Sequence, residues 1–262
     1  MCNEVLPLHR PKAYVGTTCP PGTVLLHQYP RGDWAPSVSP FPIKLETYLR
    51  MANIPYKNHF TVKASAKGKC PWMTYNGVDV ADSQFCIDLL NKEFSVDLNK
   101  HLSAEERAVA LAFRKLIEED LYWCGLLERW VYGDKHYVAK LVKLSYMIIV
   151  YISYKLGRNA WAHGMGRHSP EDVRSVGKID LLALSTFLGN KTFFMGDEPS
   201  EIDCALFGAL AQVKWHFAPN IYTQLLKDEL VNLSDYCERM KDRIWPDWDD
   251  CITHGGTRTA TK

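Results

Sequence analysis

Lys69-Cys70-Pro71-Trp72-Met73-Thr74-Tyr75-Asn76-Gly77-Val78-Asp79-Val80-Ala81-Asp82-Ser83 reads as a strand, a tight turn, a second strand and the start of a helix. Asn-Gly favours positive φ at both central positions of a two-residue hairpin loop. Proline donates no hydrogen bond to a ladder, so Pro71 belongs at the strand's start or edge. The backbone carbonyl and N–H of Cys70 are then left beside it as partners for a ligand. Asp82 and Ser83 stand where a helix begins, and a helix N-terminus offers unpaired N–H groups to a carboxylate. Such a hairpin can grip a small peptide along its backbone. It can equally be a hairpin followed by a capped helix.

Upstream, Thr23–Tyr29 reads as a first strand, 30–37 as a loop, and Ser39-Pro40 as a helix opening, with serine at the N-cap and proline at the first helical position. Ile43, Leu45, Tyr48, Leu49 and Met51 give that helix an apolar face, and Asn53-Ile54-Pro55 ends it. Tyr56–Val62 is a second strand, and Ser83–Phe94 a second helix. The order β-α-β-β-β-α predicts an α/β thioredoxin-like domain over residues 23–98. From Ser103 the pattern is helical throughout. Ser103-Ala104-Glu105-Glu106 is a capping box for a helix running to about Trp130. Further helices are expected over Tyr137–Leu156, from Ser169 to Leu188, from Pro199 to about Val213 and over Leu230–Ile244. The division is therefore a flexible arm over 1–22, the thioredoxin-like domain, an all-α domain over 103–250 and a tail over 251–262.

These motifs resemble those of glutathione transferases. In that family the proline before the third strand is cis, the preceding residue pairs with the glutathione backbone, and an acid-serine pair holds the γ-glutamyl end. Cys70, Pro71, Asp82 and Ser83 match those positions one by one. Lys69 matches a lysine that contacts the glycine end in some relatives; otherwise it is a solvated charge. Gly196-Asp197-Glu198-Pro199-Ser200-Glu201-Ile202-Asp203 resembles the capping box and buried aspartate of the family's helical domain, which makes Asp203 structural. Gly164–Ser169, Leu181–Ser185 and Phe193–Gly196 narrow the likeness to the branch holding failed-axon-connections, cadmium-responsive, metaxin-like and bacterial transferase proteins.

The resemblance implies a catalytic donor at the start of the first helix. Ser39-Pro40-Phe41-Pro42 lies where redox relatives carry Cys-Pro-Phe-Cys, so both cysteines of that version are absent, and disulfide chemistry lacks its thiolate. What is left is stabilisation of the glutathione thiolate by the Ser39 hydroxyl, against a plain N-cap. Ser37 and Tyr29 are rival donors. Arg31 is either a loop cation or a partner for a glutathione carboxylate. Tyr122, Trp123, Trp130 and Tyr132 fit either an apolar cosubstrate pocket or the core, with the core preferred for Trp123.

Composition bounds the rest. Hydrophobic residues make up 47% of the 262, enough for a core, and a net charge of +1 gives no nucleic-acid footprint. The eight cysteines are scattered, with no Cys-x-x-Cys and no zinc spacing, so no metal is expected and the thiols read as reduced. The N-terminus is no signal peptide, and a cytoplasmic setting is expected. Leu141–Leu156 is apolar but shorter than a membrane span; a buried helix is preferred, with peripheral membrane contact left open. The resemblance implies glutathione as cosubstrate, a small electrophile as partner and a twofold homodimer. Two functions follow: conjugation of glutathione to small electrophiles in detoxification, or a non-catalytic adaptor in neuronal or mitochondrial outer-membrane assemblies.

Overall fold

A computed structural model describes residues 19–262; of the arm expected over residues 1–22, residues 1–18 lie outside it. β1 (Val24–Gln28) leads into α1 (Pro40–Met51), β2 (Tyr56–Phe60), the hairpin of β3 (Trp72–Tyr75) and β4 (Val78–Ala81), and α2 (Ser83–Phe94). The sheet order is β2-β1-β3-β4. β1 runs parallel to β2 and antiparallel to β3, and Tyr75 opposite Val78 closes the Asn76-Gly77 turn. Both turn residues have positive φ, 48° and 78°, as a tight hairpin requires. β1 is buried along its whole length: Val24 and Leu26 pack with α1 and α2, and on the other face His27 stacks on Trp72.

The helical half comprises α3 (Ala104–Lys115), α4 (Tyr122–Leu126), α5 (Lys135–Val142), α6 (Tyr146–His163), α7 (Pro170–Leu188), α8 (Glu201–Ala211), α9 (Ile221–Asp228) and α10 (Val231–Ile244). α3 and α4 belong to one helical run that continues through π-turns to Tyr132. The Ser103–Glu106 capping box is present in full. The sequence pattern missed two features of this half. The helix expected over Tyr137–Leu156 is two helices bent by 107°, because Lys143 takes a left-handed conformation (φ 56°) and ends α5. α9 was not expected at all, although Asn220 and Thr223 form a capping box at its start. Among the described residues no single helix is long and apolar enough to cross a membrane; α5 and α6 reach that length and composition only as a bent pair.

The two halves meet where α1 lies along α8. Contact is backbone to backbone: a Cβ on Gly208 would sit 2.5 Å from the Pro40 carbonyl oxygen. Asp203 holds the near end of α8 by accepting from the N–H groups of Phe194 and Ser200 at 2.8 Å each, and from the Tyr236 hydroxyl at 2.9 Å. With the Ser200 hydroxyl at 2.9 Å, four donors at one buried carboxylate explain the structural role read from the motif. The last residues are not loose. The Thr253 N–H donates to the Gly32 carbonyl at 3.0 Å, and the Lys262 carbonyl accepts from Arg31 Nε at 2.9 Å.

Candidate functional site

A largely apolar cavity of about 700 Å³ lies between the halves, within the size range of small-molecule sites. Tyr29, Ser39, Phe41 and Lys44 line its thioredoxin-like side. The facing wall comes from Tyr122, Trp130 and Arg129, from the α5–α6 bend at Leu141–Leu144, and from Phe217. Tyr122 and Trp130 therefore face the cavity, and Phe41 packs on Tyr122. Trp123 stacks on His163 instead, and Tyr132 lies beside Arg174.

Ser39 is the N-cap residue of α1, with extended backbone, yet its side chain makes no capping bond. Pro42, at the third helical position, has no N–H to offer such a bond. The Ser39 hydroxyl is half-buried in the cavity wall. Its rivals are committed elsewhere. The Ser37 hydroxyl accepts from the Ser39 N–H, and its carbonyl accepts from Gln212. The Tyr29 hydroxyl bonds the Cys70 thiol; burial first, and then Cys70, push Tyr29 up to about 12. Burial likewise pushes the Cys70 thiol up to about 11, so at neutral pH both groups are protonated.

The Cys70–Pro71 peptide is cis, and Pro71 is buried at the head of β3. Asp82 caps α2, its carboxylate accepting from the Gln84 N–H at 3.0 Å. It does so at φ 85°, a region that costs a non-glycine residue on the order of 1–3 kcal/mol. Ser83 is the buried first residue of α2. Lys69 Nζ stands 3.9 Å from the Asp82 carboxylate across an exposed rim. None of Lys69, Cys70, Pro71, Asp82 and Ser83 lines the cavity itself. Tyr29 links them to it through Cys70, and Lys44 links them through Gln84 at 2.8 Å.

Arg31 is placed differently. Its guanidinium is buried and bidentate on Glu46, at 2.7 and 2.8 Å, in a knot that also draws Gln28, Tyr56 and Asn58 onto the same carboxylate. Glu46 matches its charge, and the ion pair holds the Glu46 carboxyl below the usual range despite burial.

Two buried cations escaped the sequence reading because lysines and arginines in helices normally face water. Lys44 reaches Glu118 across the domain seam at 2.5 Å, and Glu118 is shared with Arg114 at 3.2 Å. Arg129 donates to the Val38 carbonyl at 2.8 Å and to Gln212 at 3.0 Å, and its guanidinium lies over the Phe217 ring. Among the described residues it has no carboxylate partner, and its Nε has no acceptor. Burial pushes it down to about 9, so it remains charged at neutral pH, one residue away from Ser39 through Val38. One positive charge without a carboxylate partner therefore lies at the Ser39 end of an apolar cavity.

A third cluster lies deeper in the helical half. Ligand atoms of Asp120, Cys124 and Asp180 gather within 4.8 Å. Burial, and then the Asp120 charge, push the Asp180 carboxyl up to about 7.

The sequence profile of the glutathione S-transferase N-terminal domain matches residues 40–135, and that of the C-terminal domain matches residues 177–240. The chain belongs to the glutathione S-transferase superfamily. Within it, the chain is 33% identical over 252 residues to Failed axon connections of Drosophila melanogaster, covering 88% of this chain and 60% of that protein. It is 31% identical to the isoprene-epoxide–glutathione S-transferase of Rhodococcus sp. (strain AD45), covering 79% of this chain and 92% of that one. Human Metaxin-1 is 29% identical over 83% of this chain and half of its own length. Among solved structures, the beta-etherase of Sphingobium sp. strain SYK-6 superposes with a TM-score of 0.63 over 87% of this chain and 98% of its own, at 14% identity. A rice GST in complex with glutathione gives 0.56 over 89% and 93%, at 16% identity. The thioredoxin-like sheet followed by a helical domain is the transferase fold.

Proposed function

We propose that the chain binds glutathione along Lys69–Pro71 and the α2 start, and conjugates it to a small apolar electrophile held in the cavity. One observation carries the reading: the Ser39 hydroxyl, released from capping, faces an apolar cavity whose nearest buried guanidinium lacks a counter-ion. A free thiol near pKa ~8.5 is mostly protonated at neutral pH, and a donor plus a buried cation favour its thiolate. The steps balance simply. The glutathione thiol releases its proton to solvent, sulfur attacks the electrophilic carbon, and the opening ring or leaving group takes the electron pair and then a proton. An Rhodococcus relative named for an epoxide and glutathione supports this class of reaction. The free thiols among the described cysteines support a reducing compartment such as the cytoplasm.

Retention on immobilised glutathione, followed by absorbance titration of the bound thiol, tests the reading. The expected result is retention that free glutathione reverses, with the bound thiol titrating well below ~8.5. Absence of binding at about millimolar glutathione would instead favour the non-catalytic adaptor, in line with the likeness to Failed axon connections and metaxins.

A further inference from the structure

α6 is apolar on both sides. Its inner face, Ile149, Ser153 and Ala160, packs into the helical domain. Its outer face carries Met147, Tyr151, Tyr154 and Trp161 at helical spacing, with 73%, 62%, 62% and 59% of each side chain's reference area exposed. Together with Leu144, Tyr146, Ile148 and Val150, this one helix and the bend before it hold 8 of the 19 large hydrophobic residues that stand exposed among the described residues, so the exposure is a patch and not scatter.

The charge of the segment is one-sided. Between Asp134 and Glu171 the sequence has Lys135, Lys140, Lys143, Lys155, Arg158 and Arg167 and no acidic residue. Among the described residues only Lys143 of these forms an ion pair, with Asp33 at 3.2 Å. Lys155 and Arg158 are exposed and lie 5.9 Å from the Tyr151 and Tyr154 rings, so cations and aromatics share one surface.

We propose that the outer face of α6 docks on the surface of an anionic lipid membrane. Aromatic and aliphatic side chains flanked by lysine and arginine suit the boundary between acyl chains and headgroups, where a helix lies in the plane of the interface. The charge pattern rules against a second copy of the chain as occupant. A twofold interface sets the same patch against itself, bringing Lys155 and Arg158 of both copies together with no carboxylate in the segment to pair them. The N-terminal 18 residues are no better cover, since they carry Arg10 and Lys12 against Glu4 alone. The inference is independent of glutathione binding.

Sedimentation of the full chain with vesicles of phosphatidylcholine, alone or mixed with phosphatidylserine, tests it. The chain is expected on the mixed vesicles and not on the neutral ones, with binding lost as salt rises. Lys155→Ala with Arg158→Ala is expected to lower the partition coefficient about twenty-fivefold, about fivefold for each charge. Tyr151→Ser with Trp161→Ser is expected to lower it at least about tenfold. Both pairs are exposed, so folding is preserved; hydrogen exchange on the unmodified chain gives a second readout, in which mixed vesicles protect residues 146–161. Equal partition onto both vesicles, or partition unchanged by either double variant, overturns the proposal. So does a lipid-free, concentration-dependent dimer in which residues 146–161 are protected, since that assigns the face to a second copy.

Discussion

α1 and α2 both begin at a short polar residue, Ser39 in the cavity wall for one and Asp82, which does not line the cavity, for the other. In sequence the two look alike as N-caps. In the structure Asp82 caps its helix through the Gln84 N–H, at the cost of a positive φ, whereas Ser39 caps nothing, and Pro42 leaves the third helical position without a donor. One polar residue is fixed by local structure. The other stands beside proline and the α1–α8 seam, and its hydroxyl makes no capping bond. A third start, that of α8, marks the opposite extreme: Asp203 is buried and wholly consumed by donors.

Asp203→Ala should have the largest effect of any substitution at these three starts. It strands the donors of Phe194, Ser200 and Tyr236, and a loss of about 3–5 kcal/mol in denaturant-unfolding stability is expected. A loss under about 1 kcal/mol would make this start no different from an ordinary cap.

Ser39→Ala sharpens the contrast from the other side. Turnover should fall about a hundredfold, as for the loss of one preorganised donor, with the bound-thiol pKa rising and glutathione affinity nearly unchanged. Unfolding stability should move by less than about 0.5 kcal/mol, since no capping bond is lost. If stability drops while the thiol pKa stays put, Ser39 is a cap after all and its role as donor is gone.

Asp82→Ala should register in both currencies. Calorimetry should find glutathione binding weakened by about 1–3 kcal/mol, and unfolding should lose about 1 kcal/mol with the cap. Unchanged affinity would confine Asp82 to capping and dissolve the difference drawn between the two starts.

The smallest effect lies in the pH profile and serves as a control away from both starts. Asp180, raised to about 7 by burial and Asp120, holds a proton in the folded chain that the unfolded chain releases near pH ~4. Between those values the folded state binds more protons, so this residue makes stability fall as pH rises through the window. Asp180→Asn should therefore stabilise the chain by about 1–2 kcal/mol at about pH 8 and by almost nothing at about pH 4. Equal gains at both would mean a packing effect.

The sequence carried the hairpin and both helix starts because their signals are local: Asn76-Gly77 needs no partner to be read, and Pro71, Asp82 and Ser83 lie within a dozen positions of it. The buried polar pieces were not legible for the opposite reason. Arg31 reads as a loop cation until folding brings Glu46 to it, and Lys44 and Arg129 read as solvated helix charges until the second domain covers them. The α5–α6 bend escaped because no glycine or proline marks it. Lys143 adopts its left-handed conformation under tertiary constraint, which a propensity scale cannot anticipate. The missed α9 is a different failure, since its Asn220–Thr223 box stood in the sequence as plainly as that of Ser103.

Gly208 makes the cavity a vice with one fixed jaw. With the Pro40 carbonyl oxygen seated where a methyl would be, α1 and α8 cannot slide or part without losing backbone contact along the seam. A guest larger than the resting volume has to be admitted by the other jaw, where Leu141–Leu144, Ile152 and Leu156 close the cavity from the inner side of α5 and α6. If α6 rests on lipid as proposed, the movable jaw is the one turned toward the bilayer, and oily compounds would reach sulfur from the membrane side without crossing bulk water.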